Sequence, residues 1–500
     1  MRKIGRTLPM LMGVLSGLLT AAAFGGIPKA VMIFFSLIPL FIALLKCESP
    51  RQLKYILFPF AAAFYMPHMS FLYAASPLLP VADGWVAPLI TLAVIGVSLL
   101  QGVLLWLPFR VCYMRIRSFD GTDVFRIATL YILTEWLTQV SPLFAFPYAR
   151  LAVCLTGYPR FIGSAAVLGG LFPSFLILIV NGALALLIIN AARPFRVLRT
   201  TGAVICLLSV NYAYGVYVVS GADFPAAGRC AVIQGNISSA DKWRISSEES
   251  LYAFLRLAYG TADAGTDLIV FPETTVTEAV TENTLLLGRI KTLAEDKSSA
   301  VLTGTLYRSG GKLYNAMLAV NPDGSLSEPY FKRELVPFGE KVPFYSLLPE
   351  SVRGSCQNFS AGSSSVPVEA AGVKIGGIIC FESIYPQLSR SAVKSGAELL
   401  VVISNDSWFD GSNVPEQHFA HSVLRAVETG RYTICCSNTG ISGVISPVGD
   451  CVRLPPQAEG ALLSGYTPLR HRTPYSLWGD IIIIPAVLMV INGICKKLRE

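Results

Sequence analysis

The sequence predicts a transmembrane bundle of about eight helices joined to one external α/β domain. Hydrophobic residues make up 53% of the 500 residues and charged residues only 14%, whereas soluble domains carry about 25% charged residues. Mean hydropathy is +0.55. Long apolar stretches fill the chain up to residue 220 and recur near its end. This composition excludes a disordered, collagenous or purely cytosolic protein.

Each predicted membrane helix corresponds to one apolar stretch, because a helix needs about 20 apolar residues to cross about 30 Å of hydrocarbon. The first stretch follows basic residues, as in a secretory signal, but it shows no small-residue cleavage pattern and a second apolar run follows closely. We therefore interpret it as a retained helix. The stretches are residues 8–24, 28–45, 55–75, 86–113, 124–148, 161–192, 202–220 and 481–494.

Lys and Arg residues are concentrated in alternate connections between these stretches, which predicts the orientation of the helices. The connections that are poor in Lys and Arg hold only Lys29, Arg150 and Arg160. Both ends are therefore predicted to be cytoplasmic, and the long segment before the last helix external. The same distribution explains the net charge of +8 without a nucleic-acid partner. The rich connections hold Arg2, Lys3, Arg6, Lys46, Arg51, Lys54, Arg110, Arg115, Arg117, Arg126, Arg193, Arg196, Arg199, Lys496, Lys497 and Arg499.

Residues 1–220 are predicted to form a seven-helix transmembrane domain, 221–470 an external domain, and 471–500 a last helix with a cytoplasmic tail. In the external domain short β-branched runs alternate with helix-like stretches, which is typical of an α/β fold. Strands are predicted at residues 230–234, 267–271, 300–305, 316–321, 374–380, 398–404, 432–436 and 443–446. Helices are predicted at residues 246–262, 281–296, 385–395 and 416–430.

Several common active-site motifs are absent from the sequence, namely a Walker A loop, a Gly-x-Ser-x-Gly elbow and a His-Glu-x-x-His zinc helix. His418 and His421 have the i, i+3 spacing of a metal-binding pair. No Cys or carboxylate cluster accompanies them in the sequence, so we interpret them as a helix-face pair and predict no metal site.

Three places in the external segment carry chemically useful side chains. Glu273 ends one apolar strand, Lys332 precedes a Pro/Gly turn that contains Glu340, and Cys380 ends another strand just before Glu382. Each has an ordinary explanation when taken singly, since a Cys at a strand end is usually buried core. Together they supply a nucleophile, a base and a cation. A carboxylate can take the thiol proton, and an ammonium can stabilise both the thiolate and an oxyanion.

The order Glu273, Lys332, Cys380, each at a strand end, resembles the nitrilase superfamily. Further segments resemble the apolipoprotein N-acyltransferases, which are membrane-embedded members of that superfamily. The resemblance covers essentially the whole chain. It implies a nitrilase-like α-β-β-α sandwich for the external domain and a location in the bacterial inner membrane. The segments are residues 234–236, 242–243, 271–273, 335–340, 380–382, 404–409, 417–418 and 425–431.

The resemblance implies acyl transfer from a phospholipid, through a Cys thioester, to the N-terminal amine of the diacylglyceryl cysteine of apolipoproteins. Glu273, Lys332 and Cys380 would be catalytic, and no cofactor or metal is expected. Glu340 and Glu382 would orient Lys332 and the thiol, with ordinary ion pairing as the alternative. A set of aromatic residues would form an apolar mouth for lipid chains, with core packing as the alternative: Trp243, Phe381, Trp408 and Phe409.

Two positions depart from the family pattern: Asp410 stands where Gly is common, and Cys435 where Arg is frequent. Two other functions remain open. The first is a membrane-anchored nitrilase-type amidase or hydrolase, for which one anchoring helix would suffice. The second is a non-catalytic lipid transporter, which the intact catalytic residues disfavour. External cysteines lie in a compartment where disulfides can persist. Because a nucleophilic cysteine must stay reduced, Cys380 is nevertheless predicted to be unpaired.

Overall fold

The computed structural model describes residues 7–24, 27–74, 83–113, 119–140, 146–192, 195, 197–238, 241, 244–337, 339–341, 358–409 and 411–499. These residues divide into two compact units. We call the first the helical unit, which contains the described residues up to 221 and those from 478 onward. The second, the α/β unit, contains residues 222–477.

The helical unit contains three helices that are long and apolar enough to cross a membrane, within the described part of the chain: Val86–Val111, Leu171–Ile189 and Leu198–Ser220. Its other helices are shorter or carry more charge. The helices of this unit run, in chain order, Thr7–Ala23, Ile27–Ala30, Ile33–Ser36, Ile38–Leu45, Leu53–His68, Asp83–Val111, Gly121–Val140, Pro159–Ile162, Ala165–Leu168, Leu171–Ile189, Leu198–Ser220 and Ile484–Arg499.

Two of the predicted apolar stretches are interrupted rather than continuous helices. Residues 28–45 form three short helices, and a proline in the first turn of Ile38–Leu45 explains one break, because proline lacks the amide proton that a continuing helix needs. Residues 161–192 break at Gly169, whose φ of +75° ends the preceding helical turn. The count of about eight membrane crossings therefore stays a prediction.

Charged side chains inside the helical unit are hydrogen-bonded. Glu135 and Arg150 are both buried. Glu135 Oε1 accepts from the backbone N of Leu151 at 3.0 Å. Arg150 donates to Gln139, whose Nε2 donates to Asp480 Oδ2 at 2.8 Å. These contacts join separate segments of the unit, which is the helix-packing role expected of polar groups in membrane proteins.

The α/β unit is built on two mixed sheets. The first sheet has the strand order β13-β1-β2-β4-β5-β6, with β3 beside β4, and the second has the order β12-β11-β10-β9-β8-β7. The strands are β1 Gly228–Gln234, β2 Leu268–Val270, β3 Val276–Ala279, β4 Ala300–Ser309, β5 Lys312–Val320, β6 Tyr330–Phe331, β7 Val368–Ala370, β8 Val373–Ile379, β9 Leu399–Ser404, β10 Thr433–Ser437, β11 Gly443–Ile445, β12 Cys451–Arg453 and β13 Gly460–Tyr466.

The central strands are parallel and are covered on both faces. In β1, Val232 points into a core shared by both sheets, while Ile233 points toward the helices Ser247–Thr261 and Thr284–Lys297. Such two-sided burial explains why these strands are continuous apolar runs in the sequence. The helices Pro386–Lys394 and Val414–Thr429 pack on the second sheet.

All eight predicted strands and all four predicted helices of this unit are present, with ends shifted by a few residues. The helix Ser247–Thr261 is capped at its start, because Ser246 and Glu249 form a reciprocal capping box. Five strands were not predicted: β3, β6, β7, β12 and β13. Four of them have at most four residues, and β13 is an edge strand with Gly at its start, so their patterns carry little signal.

Candidate active site

Cys380 lies in a strained turn at the carboxyl end of β8. It is the first residue of a short 3-10 helix, Cys380–Ile384, and its φ is +54°. A residue with a Cβ rarely adopts this left-handed conformation, and such strain persists only where the surroundings enforce it. The thiol is reduced and almost buried, with 8% of the residue exposed. The turn therefore fixes the sulfur at the end of a parallel strand.

Glu382 joins this turn to the segment around Lys332. Its Oε1 accepts from the backbone N of Arg333 at 2.6 Å and of Glu334 at 3.1 Å. Its Oε2 accepts from the backbone N of Ile379 at 2.8 Å, and the Tyr330 hydroxyl donates to both oxygens. Burial raises the pKa of Glu382 to about 7, although the amides of Ile379 and Arg333 lower it. Its hydrogen bonds thus position the backbone on both sides of the site.

Lys332 lies between two carboxylates. Its Nζ donates to Glu273 Oε1 at 3.2 Å and to Glu340 Oε1 at 2.9 Å, and the lysine is 1% exposed. Asn315 Nδ2 donates to the same two oxygens, at 2.7 and 2.8 Å. The second oxygen of Glu273 accepts from the backbone N of Asn405 at 3.1 Å. The second oxygen of Glu340 accepts from the backbone N of Val336 at 2.9 Å. These donors therefore hold both carboxylates in place.

The charges of this cluster act on one another and on the thiol. Burial lowers the pKa of Lys332, but Glu273, Glu340 and Cys380 outweigh it, so the pKa lies well above its ordinary value. Burial, followed by Glu273, raises the pKa of Cys380 well above its ordinary value, while Lys332 lowers it. The resting site therefore holds an ammonium and a neutral thiol, and attack by the sulfur requires a base. The structure thus brings the three predicted catalytic side chains together.

Sequence reasoning missed the surroundings of His418. Its Nδ1 is 2.8 Å from Asp406 Oδ1, and both side chains are buried. The Cys380 sulfur, an Asp406 oxygen and a His418 ring nitrogen lie within 4.8 Å of one another. The prediction that no Cys or carboxylate accompanies His418 is therefore wrong, because the fold joins residues from three separate strand and helix ends.

The predicted aromatic mouth is only partly described. Phe381 packs against the core between the sheets and edge-on to Tyr385, with ring centroids 5.4 Å apart. These contacts favour the core-packing alternative for Phe381. Trp408 and Phe409 are half-buried in the short 3-10 helix Asp406–Phe409. Trp243 and Asp410 lie outside the described residues. Every described cysteine of the α/β unit is a free thiol, including Cys435.

Comparisons with known proteins cover both units. Residues 229–465 match the carbon-nitrogen hydrolase family, and residues 16–183 match the apolipoprotein N-acyltransferase N-terminal domain. An apolipoprotein N-acyltransferase from Geobacter metallireducens is 30% identical over 494 residues, 94% of this chain and 92% of that protein. The chain belongs to the apolipoprotein N-acyltransferase family.

Other similarities have a narrower reach. An apolipoprotein N-acyltransferase from Pseudomonas aeruginosa is 32% identical over 399 residues, 76% of this chain and 74% of that protein. A solved CN-hydrolase superfamily protein from Xanthomonas campestris is 19% identical, with a TM-score of 0.38, over 48% of this chain and 90% of that one. The family resemblance predicted from the sequence motifs is therefore confirmed by the full-length relatives.

A buried ion pair supports the Cys380 turn in this N-acyltransferase family member. Arg425 and Glu428, on the helix Val414–Thr429, are fully buried and 2.8 Å apart. Arg425 also donates to the carbonyls of Ser383 and Ile384, at 3.2 and 3.3 Å. The arginine therefore bridges the helix that carries His418 and the turn that carries Cys380.

Replacing Arg425 with methionine should strongly destabilise the protein. The change leaves the Glu428 carboxylate buried without its partner, which costs about 3–5 kcal/mol. Thermal unfolding of the full-length protein in detergent should therefore begin at a much lower temperature. The double variant Arg425→Met/Glu428→Leu removes both charges and should recover part of the loss. Equal stability of the single variant and the wild type would contradict this role.

Replacing Glu382 with glutamine should lower stability by about 1–3 kcal/mol, because an amide NH₂ would face backbone N–H donors. The pKa of Glu382 is raised from 4.5 to about 7 in the folded state. The folded protein therefore binds this proton more tightly than the unfolded chain, and wild-type stability falls as pH rises from 4.5 to about 7. The difference in melting temperature between variant and wild type should narrow across that range. Glu369→Gln, at an exposed position, is the control, and a constant difference would contradict the assignment.

Proposed function

We propose that this membrane protein transfers a fatty acyl chain from a phospholipid to the N-terminal amine of the diacylglyceryl cysteine of apolipoproteins, through a thioester on Cys380. One observation carries the proposal. Cys380 is a reduced cysteine in a strained turn at the end of a strand, and the charges of Lys332 and Glu273 act on its thiol. The Lys332 ammonium is in turn hydrogen-bonded to the Glu273 carboxylate. This arrangement provides the base, the cation and the nucleophile that acyl transfer through sulfur needs.

In the first half-reaction Glu273 takes the proton from the Cys380 thiol while the sulfur attacks the ester carbonyl at the sn-1 position of the phospholipid. The S–C bond forms, and Lys332 stabilises the negative oxygen of the tetrahedral intermediate. The C–O bond of the ester then breaks. The lysophospholipid oxygen leaves with the proton held by Glu273, and an acyl thioester remains on Cys380.

In the second half-reaction the neutral α-amine of the acceptor attacks the thioester carbonyl. A C–N bond forms, the C–S bond breaks, and one proton moves from nitrogen to sulfur, which leaves an amide and a free thiol. An α-amine has a pKa of about 8, so a useful fraction is neutral near neutral pH. No step needs a cofactor, a metal or a nucleic acid.

Because both substrates are lipids, catalysis must occur close to the bilayer. In this proposal the membrane helices therefore do more than anchor the catalytic domain. In this proposal residues 1–220 and 471–500 form the transmembrane domain with about eight crossings, and residues 221–470 form the catalytic domain on the external side of a bacterial inner membrane. The alternation of Lys- and Arg-rich connections supports that orientation. Half-buried Trp408 and Phe409 are candidates for contact with acyl chains.

The test uses the purified full-length protein, a phospholipid labelled in its sn-1 chain and a synthetic diacylglyceryl lipopeptide. We expect label on the amine of the lipopeptide together with an equal amount of lysophospholipid. Release of labelled fatty acid with no lipopeptide product would identify a hydrolase. Lipid binding without any bond cleavage would identify a transporter, and either result would overturn the proposal.

A further inference from the structure

A second acid–base pair lies beside the proposed nucleophile. His418 and Asp406 are hydrogen-bonded at 2.8 Å, and a ring nitrogen of the first and a carboxylate oxygen of the second lie within 4.8 Å of the Cys380 sulfur. The helix Val414–Thr429 that carries His418 also contacts the Cys380 turn through Arg425. The imidazole is therefore held near the reacting atoms by its own hydrogen bond and by its helix. Neither half-reaction of the proposed acyl transfer uses this pair.

Hydrogen bonds fix the orientation of the Glu273 carboxylate. A carboxylate offers about four lone-pair positions. At least three are occupied by donors from Lys332, Asn315 and the backbone of Asn405, at 3.2, 2.7 and 3.1 Å. Because these donors fix its orientation, the carboxylate accepts a proton from one direction, in this proposal that of the Cys380 thiol.

The two proton acceptors are positioned by consecutive residues of one loop. The backbone N of Asn405 donates to Glu273, and the side chain of the next residue, Asp406, binds His418. The loop is itself fixed, since Asn438 Nδ2 and Ser407 Oγ donate to Asn405 Oδ1 at 3.0 and 2.9 Å. A carboxylate and an imidazole therefore approach the Cys380 region from two fixed positions.

We propose that His418, oriented by Asp406, accepts the proton of the incoming amine in the second half-reaction, while Glu273 serves the first. This inference rests on the proposed acyl transfer and assigns a further residue to it. A carboxylate bound at Nδ1 favours the tautomer whose Nε2 accepts a proton. The site then holds one base for the thiol and another for the amine.

In this step the proton of the amine returns to the Cys380 sulfur by way of His418. The amine nitrogen attacks the thioester carbonyl, a C–N bond forms, and the N–H proton passes to His418 Nε2. The C–S bond then breaks, and the departing Cys380 thiolate takes the proton from the imidazolium. A ring nitrogen of His418 lies within 4.8 Å of the Cys380 sulfur, a separation that one bridging water molecule can span. The products are an amide and a thiol, and both side chains regain their starting states.

The experiment measures the two half-reactions separately in the full-length protein. The protein is incubated with phospholipid, the adduct on Cys380 is quantified by mass spectrometry, and its decay is followed after a diacylglyceryl lipopeptide is added. For His418→Gln we expect adduct formation within about threefold of wild type and decay slowed by about 10²–10⁴-fold. Hydroxylamine cleaves thioesters without a general base, so it should remove the adduct from variant and wild type at similar rates.

Two further variants distinguish proton transfer from a structural role. Adding imidazole to His418→Ala should recover part of the decay rate, which loss of packing alone would not allow. Asp406→Asn should also slow decay while adduct formation persists, because it changes the tautomer of His418. The matched control is His421→Gln, which removes another buried imidazole from the same helix and should leave both rates unchanged.

Three results would overturn the inference. Equal slowing of adduct formation and decay in His418→Gln, together with no recovery of His418→Ala by imidazole, would assign His418 a structural role. Loss of wild-type transfer on addition of EDTA would assign the three side chains to a metal ion. If wild-type protein loads and transfers the acyl chain and His418→Gln matches it, only this inference fails. If wild-type protein forms no adduct, the proposed function itself fails.

Discussion

Replacing Cys380 with alanine is expected to abolish acyl-enzyme formation and to lower the rate of lipopeptide acylation by at least about 10³-fold. The thiol is the proposed nucleophile, and no other group in the cluster can carry the acyl chain as a thioester. Alanine keeps the Cβ at the left-handed φ of +54°, so the strain of the turn is retained. The rate is measured with labelled phospholipid and a diacylglyceryl lipopeptide.

The matched control for this variant is Cys451→Ala, which removes an exposed free thiol of the same unit and should leave acylation unchanged. Melting temperatures of all three proteins show whether the fold is preserved. Substantial acylation by well-folded Cys380→Ala protein would mean that another residue is the nucleophile.

Replacing Glu273 with glutamine is expected to slow formation of the Cys380 adduct by about 10²–10⁴-fold, the usual contribution of a general base. The reason is the resting state of the thiol. Burial raises the pKa of Cys380 well above its ordinary value, so almost none of it is thiolate before a base acts. The amide of glutamine preserves the shape of the side chain, and its one oxygen can still accept from Lys332 and Asn315. Its NH₂ group then faces the backbone N of Asn405, and the amide cannot take the thiol proton.

Adduct formation in Glu273→Gln is measured by mass spectrometry over time, with Glu278→Gln, at an exposed position of β3, as the control. Raising the pH should accelerate the variant more than the wild type, because hydroxide ionises the thiol in place of Glu273. An unchanged rate in a folded Glu273→Gln protein would remove Glu273 as the base.

The positions of Glu273 and Cys380 were predictable because each ends an apolar strand that the sequence marks clearly. The strand before Lys332, Tyr330–Phe331, was not predicted, and Lys332 was recognised from the Pro/Gly turn that follows it. Parallel strands bring their carboxyl ends to one edge, so strand-end residues far apart in sequence meet there. The structure places Glu273 and Lys332 in hydrogen-bonding contact, and the charges of both act on Cys380.

The supporting contacts were only partly predictable. Glu340 contacts Lys332 at 2.9 Å, and its orienting role stays a prediction. Glu382 instead binds backbone amides of Arg333, Glu334 and Ile379, and no sequence pattern indicates which backbone groups a buried carboxylate will meet. The spacing of residues in the sequence can predict a contact between a Lys and a Glu side chain. The backbone amides that bind a buried carboxylate are determined only by how the folded segments pack.

The pairing of His418 with Asp406 depends on packing as well. The i, i+3 spacing to His421 directed attention along the helix, but the contacts of His418 run across it to the loop after β9. The segment 404–409 and the pair 417–418 were both recognised as family motifs in the sequence. The first motif contains Asp406 and the second His418, and this was the sequence signal that could have predicted their contact. The first motif ends a parallel strand and the second lies on the next helix, an arrangement that can bring the two side chains together.

The most direct test of acyl transfer through sulfur is the mass of the full-length protein after incubation with a phospholipid of one known sn-1 chain. We predict a gain of one acyl group less one hydrogen, located on the peptide that contains Cys380 and removed by neutral hydroxylamine, with one lysophospholipid released per adduct. Lysophospholipid release without any adduct, or an adduct that maps to another residue or resists hydroxylamine, would contradict a thioester on Cys380.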